Sequence, residues 1–122
     1  MPNELTHFAE WTFMQQVDTP ADIIDSLVPG EEAVATFKTI RDTATFTSKR
    51  LIVRDSQGIT GKKVECYSLP WSAVNMWSVE NAGHLDLNAE IELWTRAGHV
   101  KINLKRGADV SVIDRLIAQY VL

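Results

Sequence analysis

The chain has 122 residues, 45% of them hydrophobic, with 16 acidic against 12 basic side chains for a net charge of −4. That length suits one domain with one core, and the apolar share excludes a disordered chain. The acidic balance excludes nucleic acid as the main partner, the single Cys66 excludes an intrachain disulfide, and no run of about 18 apolar residues exists to span a bilayer as a helix.

Met1-Pro2-Asn3-Glu4 lacks the basic and then apolar regions of a signal peptide, so a cytoplasmic location is expected. Leu5, Ala9, Phe13 and Val17 fall on one i+4 ridge with Phe8 beside it, which predicts a helix over residues 3–17. Trp11 and Met14 point off that ridge. Either they form a second internal face or they touch another subunit. Thr19-Pro20-Ala21-Asp22 has the make-up of a second helix start: Thr19 as cap, Pro20 in the first turn, Asp22 near the free N–H groups. Ile23, Ile24 and Leu27 would be its buried stripe, and Pro29-Gly30 its end. Residues 1–30 are therefore expected as an N-terminal helical extension to a domain over 31–122.

From Glu31 the period becomes strand-like. A first strand over about 32–40 carries Ala33, Ala35 and Phe37 on one face, and Arg41-Asp42 is a tight connection. Strands over about 43–48 and 50–55 follow, the latter around the apolar run Leu51-Ile52-Val53. Asp55-Ser56-Gln57-Gly58 is expected to reverse the chain, with Gly58 free to take positive φ and Gly61 a second flexible point. The next strand, about 62–69, ends at Pro70; a fifth, about 72–80, carries Val74, Met76, Trp77 and Val79. The sixth alternates most clearly: Leu87, Ala89, Ile91 and Leu93 on one face, Asn88, Glu90, Glu92, Trp94 and Arg96 on the other. Beyond the Ala97-Gly98 turn, Val100, Ile102 and Leu104 face in while Lys101, Asn103 and Lys105 face out. Gly107 breaks this seventh strand. Val110, Ile113, Leu116, Ile117, Tyr120 and Val121 then recur at helical spacing with one apolar side, which should lie on the sheet.

Seven antiparallel strands and a C-terminal helix make a mainly β domain. As a flat sheet it would keep two open edges; bending into a barrel or orthogonal sandwich, with the helix plugging one end, removes that exposure. This is the architecture of the pleckstrin-homology (PH) superfold. In order along the chain stand Pro29-Gly30-Glu31, Phe37-Lys38, Arg41-Asp42, Phe46-Thr47, Lys49-Arg50-Leu51-Ile52, Asp55, Gln57-Gly58, Thr60-Gly61-Lys62-Lys63, Pro70, Ser78-Val79-Glu80, Ala82-Gly83, Asp86-Leu87 and Glu90. This ordered set resembles the bacterial PH domain family over about residues 27–121. The resemblance implies a seven-stranded barrel with a C-terminal helix, symmetric and often ring-like homo-oligomers, and neither an established enzymatic activity nor an agreed ligand.

Nothing in the chain has the spacing of a catalytic or metal constellation. His7, His84 and His99 are scattered, and no cofactor is expected. Cys66 shares a strand with Val64 and is expected as a buried apolar residue. Glu80, His84 and Asp86 crowd one turn, where an acid–base pair is conceivable but hydrogen bonding to loop N–H groups is the simpler role. Lys49, Arg50, Arg54, Lys62 and Lys63 form a local basic excess that could hold phosphate groups or an anionic lipid surface; pairing with Asp55, Glu65 and other acids is the plain alternative. The turn Thr39-Ile40-Arg41-Asp42-Thr43 lacks the Lys-x-Arg pattern with which eukaryotic PH domains grip phosphoinositides. Trp94, flanked by Glu92 and Arg96, has the make-up of an interface anchor with a charged rim, and Trp11 and Met14 are further interface candidates. The leading expectation is thus a non-catalytic oligomerisation or protein-interaction module whose partners are copies of itself and another protein. A peripheral anionic-lipid or phosphate binder ranks second, and an enzyme using the Glu80–Asp86 loop third.

Overall fold

The computed structural model describes residues 9–57, 63–80, 89–105 and 109–122. Among them are eight strands: β1 (Ala9–Val17), β2 (Ala33–Thr39), β3 (Thr43–Thr47), β4 (Arg50–Gln57), β5 (Lys63–Pro70), β6 (Val74–Glu80), β7 (Ala89–Thr95) and β8 (Gly98–Leu104). A short helix, α1 (Ala21–Asp25), follows β1, and a longer one, α2 (Val110–Val121), follows β8. A single 3-10 turn, Trp71–Ala73, joins β5 to β6. The strands form one sheet in the order β5-β4-β3-β2-β1-β8-β7-β6. The mainly β, PH-like architecture with a C-terminal helix is as expected. The strand count is eight where seven were expected, and one pair, β1 with β8, is parallel.

The extra strand is β1, where a helix over 3–17 was expected; residues 1–8 lie outside the described residues. The i+4 spacing that suggested a helix is also an even spacing, so it suits a strand equally. Trp11 separates the two periods. On a helix it would sit away from Phe13; on the strand it shares Phe13's face, and it packs against the core as Phe13 does. β1 runs antiparallel to β2, with a bulge between Phe13 and Gln16, and parallel to β8, with Trp11 opposite Ile102 and Phe13 opposite Leu104.

The sheet is strongly curled. Trp11 on β1 and Tyr67 on β5 are four strand steps apart, about 19 Å if the sheet were flat, yet their ring centroids lie 6.2 Å apart. The inner faces of all eight strands consequently share one core. Its centre is aromatic: Phe13 stacks on Phe37, both meet Phe46 edge-on, and Phe46 stacks on Trp71. Trp71, in the turn that joins β5 to β6, is buried in this core. Its indole N–H donates to the Thr47 carbonyl (2.9 Å) and its backbone N–H to that of Lys49 (3.1 Å).

The expected turn at Asp55–Gln57 is strand instead. β4 continues through Gln57, which faces Lys63, because Asp55 and Ser56 find cross-strand partners in Glu65 and Val64. Residues 58–62 lie outside the described residues. Cys66 is exposed, not buried as expected. It lies opposite Arg54 on the outer face of β5, an edge strand on which only Leu69 is buried.

α1 is a single short turn lying over the outer face of β2–β4. Thr19 does not cap it: its hydroxyl bonds Thr36 (2.7 Å), which bonds Thr45 (2.9 Å). The first free N–H groups, of Ile23 and Ile24, instead meet the Pro20 carbonyl. Ile23 is buried, but Ile24 is 47% exposed, so the three-residue stripe expected here shrinks to one residue. One turn has only one side to bury. Ile52, which points outward between the inward Leu51 and Val53, is buried on this same outer face.

α2 begins at Asp109, whose carboxylate accepts from the Ser111 N–H (3.0 Å) and hydroxyl (2.7 Å). These bonds hold its carboxyl below the usual carboxylate range. Ile113 and Ile117 are fully buried, and the Trp77 indole donates to Asp114 (2.9 Å). Leu116 is only partly buried at the margin, so the i+4 pair Ile113–Ile117 anchors the helix. Among the described residues no helix is long and apolar enough to cross a membrane. Ile117→Ala should therefore lose about 2–5 kcal/mol in a urea melt, as buried truncations do, and Leu116→Ala clearly less. Equal losses would mean that the helix docks on a different face.

Candidate functional site

Three places gather the polar and aromatic side chains that recognition would use. The first is the basic set on β4 and its neighbours. Arg50 lies against Glu31, a buried carboxylate at the start of the barrel. Its Nε donates to Glu31 Oε2 (2.8 Å) and its Nη2 to Oε1 (3.0 Å). The Thr47 hydroxyl (2.6 Å) and the Val28 N–H (3.0 Å) donate to the same carboxylate. Arg50 further reaches Ser68 Oγ and the Ser26 carbonyl. Burial alone would raise the Glu31 carboxyl; the donors from Arg50, Thr47 and Val28 outweigh it and bring the pKa down to about 2.

Arg54 is equally engaged. It pairs with Asp22 on α1 and donates through Nε to Asp42 (3.0 Å), which also accepts from Ser56 Oγ (2.6 Å). The Arg54 hydrogen bond holds the Asp22 carboxyl below its usual value. Lys49 and Lys63 are exposed but stand at opposite ends of the β4–β5 ladder, about 26 Å apart along the strands. Lys62 lies outside the described residues. The structure thus brings Arg50 and Arg54 together on one face, where both hold α1 through carboxylates and a carbonyl, and does not bring Lys49 and Lys63 to them.

The second place is the outer face of β6–β8. Trp94 faces out, as the alternation requires, between the buried Leu93 and the neighbouring strands. It stacks on His99 across the ladder, with centroids 5.0 Å apart and planes 23° from parallel. His99 Nε2–H donates to Glu92 (2.7 Å), and Lys101 pairs with Glu90 (3.4 Å). On the other side Trp94 faces Met76, which is 54% exposed on the edge strand β6. Arg96 is exposed in the β7–β8 turn. Trp11 is not part of this face: it points to the opposite, inner side of the sheet. Met14 is half-buried beside the β1 bulge.

The third place is a cavity of about 520 Å³ at the barrel mouth, near the β2–β3 turn. Trp11 and Tyr67 form its aromatic walls, and Val53, Arg41 and Asp55 also line it. The Tyr67 hydroxyl donates to Glu65 (2.8 Å). That bond, with burial and the charges of Glu65 and Asp55, raises the phenol above its usual value. Sequence alone carried no signal for this cavity, because Trp11 and Tyr67 meet only when the sheet curls. Among the described residues no three His, Cys, Asp or Glu side chains are grouped to hold a metal ion. Glu80 ends β6 and is exposed, while His84 and Asp86 lie outside the described residues.

The sequence profile of the bacterial PH domain matches residues 5–121. The chain belongs to the bacterial PH domain family. It is 40% identical over 95 residues to the uncharacterized protein YjqA of Bacillus subtilis (strain 168), covering 75% of this chain and 76% of that one. YozO of the same organism is 26% identical over 95 residues, with 78% and 82% covered. The crystal structure of a DUF1696 family protein with a pleckstrin-homology domain from Shewanella loihica PV-4 matches with a TM-score of 0.80 at 35% identity, over 88% of this chain and 97% of that one. A pleckstrin-homology domain from Shewanella amazonensis SB2B matches with a TM-score of 0.67 at 43% identity, over 84% of each chain. A PH domain protein from Exiguobacterium sibiricum 255-15, at 19% identity and a TM-score of 0.59, shares the fold.

In this PH-like domain the Glu31–Arg50 clamp has a pH signature. The folded pKa of about 2 lies below the unfolded value near 4.5. Its stabilisation is therefore complete above pH 4.5 and is lost as the pH falls from there through 2, on the order of 3 kcal/mol in all. Urea midpoints between pH 6 and pH 2.5 should fall more steeply for the wild type than for Glu31→Gln, and Glu31→Gln should be the less stable protein at pH 6.

Proposed function

We propose that this PH-like domain is a non-catalytic oligomerisation and protein-interaction module, which assembles with copies of itself into a closed symmetric array and presents repeated surfaces to a protein partner. One observation carries the proposal: the outer face of the edge strand β6 sets the exposed Met76 beside the Trp94–His99 stack. An apolar and aromatic row with Glu92 and Arg96 at its rim has the composition of an interface centre. The sheet order also ends in two different edge strands, β5 and β6, among the described residues. Two edges that differ can pair only head to tail, and a head-to-tail contact gives a ring when its rotation closes and an open filament when it does not; the proposal takes the closed case.

Light scattering tests this reading, with circular dichroism as the folding control. The wild type should be an oligomer, and Met76→Glu and Trp94→Glu should lower its mass while leaving the β spectrum intact. A monomeric wild type overturns assembly. Oligomers that survive in both folded variants move the contact away from this face.

A further inference from the structure

The cavity at the barrel mouth lies on the other side of the sheet from Trp94 and is independent of assembly. Its walls are the faces of Trp11 and Tyr67, tilted 45° to one another with centroids 6.2 Å apart. The rings touch one another along one wall, and an aromatic face turned to the cavity presents its negative quadrupole there, an environment that favours a cation. Glu10 and Asp55 line the cavity, and Glu65 stands at the Tyr67 hydroxyl; Arg41 lines it beside Asp55. Arg54 also borders the cavity, but its guanidinium is taken up by Asp22 and Asp42.

Asp55 supplies the most specific clue. Its Oδ1 atom is buried and accepts no hydrogen bond among the described residues. The nearest cation is Arg41 Nη1 at 3.6 Å, beyond hydrogen-bond reach, on a side chain 59% exposed. A buried carboxylate oxygen without a donor is costly, so a ligand that displaces the exposed Arg41 side chain and brings an N–H to this atom gains there. A quaternary ammonium has no such proton, and an anion would meet Asp55 and Glu65 unfavourably.

We propose that this cavity binds the head of an amino-alkyl or guanidino-alkyl group, with an N–H donating to Asp55 Oδ1 and the alkyl stem lying along the wall that Trp11 and Tyr67 form together. Such a head is carried by a free alkylamine or by a lysine or arginine side chain. Arg41 is the internal competitor for Asp55: it sits close enough to screen the carboxylate and too far to satisfy it.

The experiment is a titration of the full chain followed at the Trp11 indole N–H by NMR. The probes are n-butylammonium, agmatine and Nα-acetyl-lysine N-methylamide, with tetramethylammonium, n-butanol and inorganic phosphate as controls. At least one N–H-bearing cation should shift the Trp11 signal to saturation, and the stronger of the free amines and the lysine derivative identifies the source. The three controls should not saturate. Asp55→Asn should weaken binding about tenfold or more, the loss of one charge-assisted hydrogen bond, whereas Arg41→Ala should strengthen it by removing the competitor. A merely structural role for the two residues would move both variants in the same direction. The proposal fails if no N–H-bearing cation saturates the signal, if n-butanol or tetramethylammonium binds as tightly, if phosphate binds in their place, or if the folded Asp55→Asn protein binds unchanged. It also fails if folded Arg41→Ala binds more weakly.

Discussion

Everything in this domain depends on where β1 lies. The strands β2–β5 form one antiparallel meander and β6–β8 another, and β1 is the piece that hydrogen-bonds to both. Without it the sheet would divide into two halves joined only by the Trp71 turn and side-chain packing. With it, one continuous ladder carries the curl that brings all inner faces onto Phe13, Phe37 and Phe46. Phe13 is itself on β1, so the strand that joins the two halves also supplies the middle of the core. The connection permits the parallel pairing with β8, because the chain returns to β1 only after passing through the six strands β2–β7.

The two open edges are the price of that arrangement. The Trp71 turn joins β5 to β6, with its indole bonded to Thr47 and its backbone N–H to Lys49, but it does not continue the ladder. β5 is left exposed along almost its whole length, with Val64 half-exposed and Cys66 in solvent. Lys63, Glu65 and Pro70 on that strand are residue types that discourage indiscriminate edge pairing. β6 has no comparable charged guard before Glu80 and carries Met76 outward. The two edges therefore differ in chemistry, which makes their contacts directional.

Positive charge has a structural use here. Arg50 and Arg54 lie four residues apart on one strand and therefore on one face. Arg54 fastens α1 through Asp22 and the β2–β3 turn through Asp42, while Arg50 holds Glu31 and the Ser26 carbonyl at the end of α1, with Ile23 and Ile52 buried there. Glu31 is the most buried member, and its four donors explain why it can stay ionised where a lone carboxylate would not. The composition of this strand resembles an anion site; its geometry is that of a clamp.

Much of this was legible in the sequence, for a local reason. Strand parity is set by side chains two residues apart, so the inward Leu51 and Val53, Ile91 and Leu93, Val100 and Ile102 could be read directly, as could the outward Trp94 and the one-sided stripe of α2. The meander, the C-terminal helix and the family pattern follow from the same short-range signals. The rest depended on distance along the chain. A four-residue spacing suits a helix and a strand alike, and only pairing with β2 and β8 made residues 9–17 a strand. Cys66 looked buried by its neighbours in sequence, and became exposed because β5 is the last strand of the sheet. For Arg50 and Arg54 the sequence offered Asp55, Glu65 and other acids as partners, and the partners they have, Glu31, Asp22 and Asp42, were brought to them from other elements. The Trp11–Tyr67 cavity exists only because curling the sheet closes a gap that a flat ladder would leave open. For the strands that alternate clearly, β7 and β8, the sequence by itself determined which way the side chains face, since that is decided by period. Which strand stands next to which, and hence which charges are spent and which surface is left, was decided only by the tertiary structure, because hydrogen-bonded ladders join residues that carry no mark of each other.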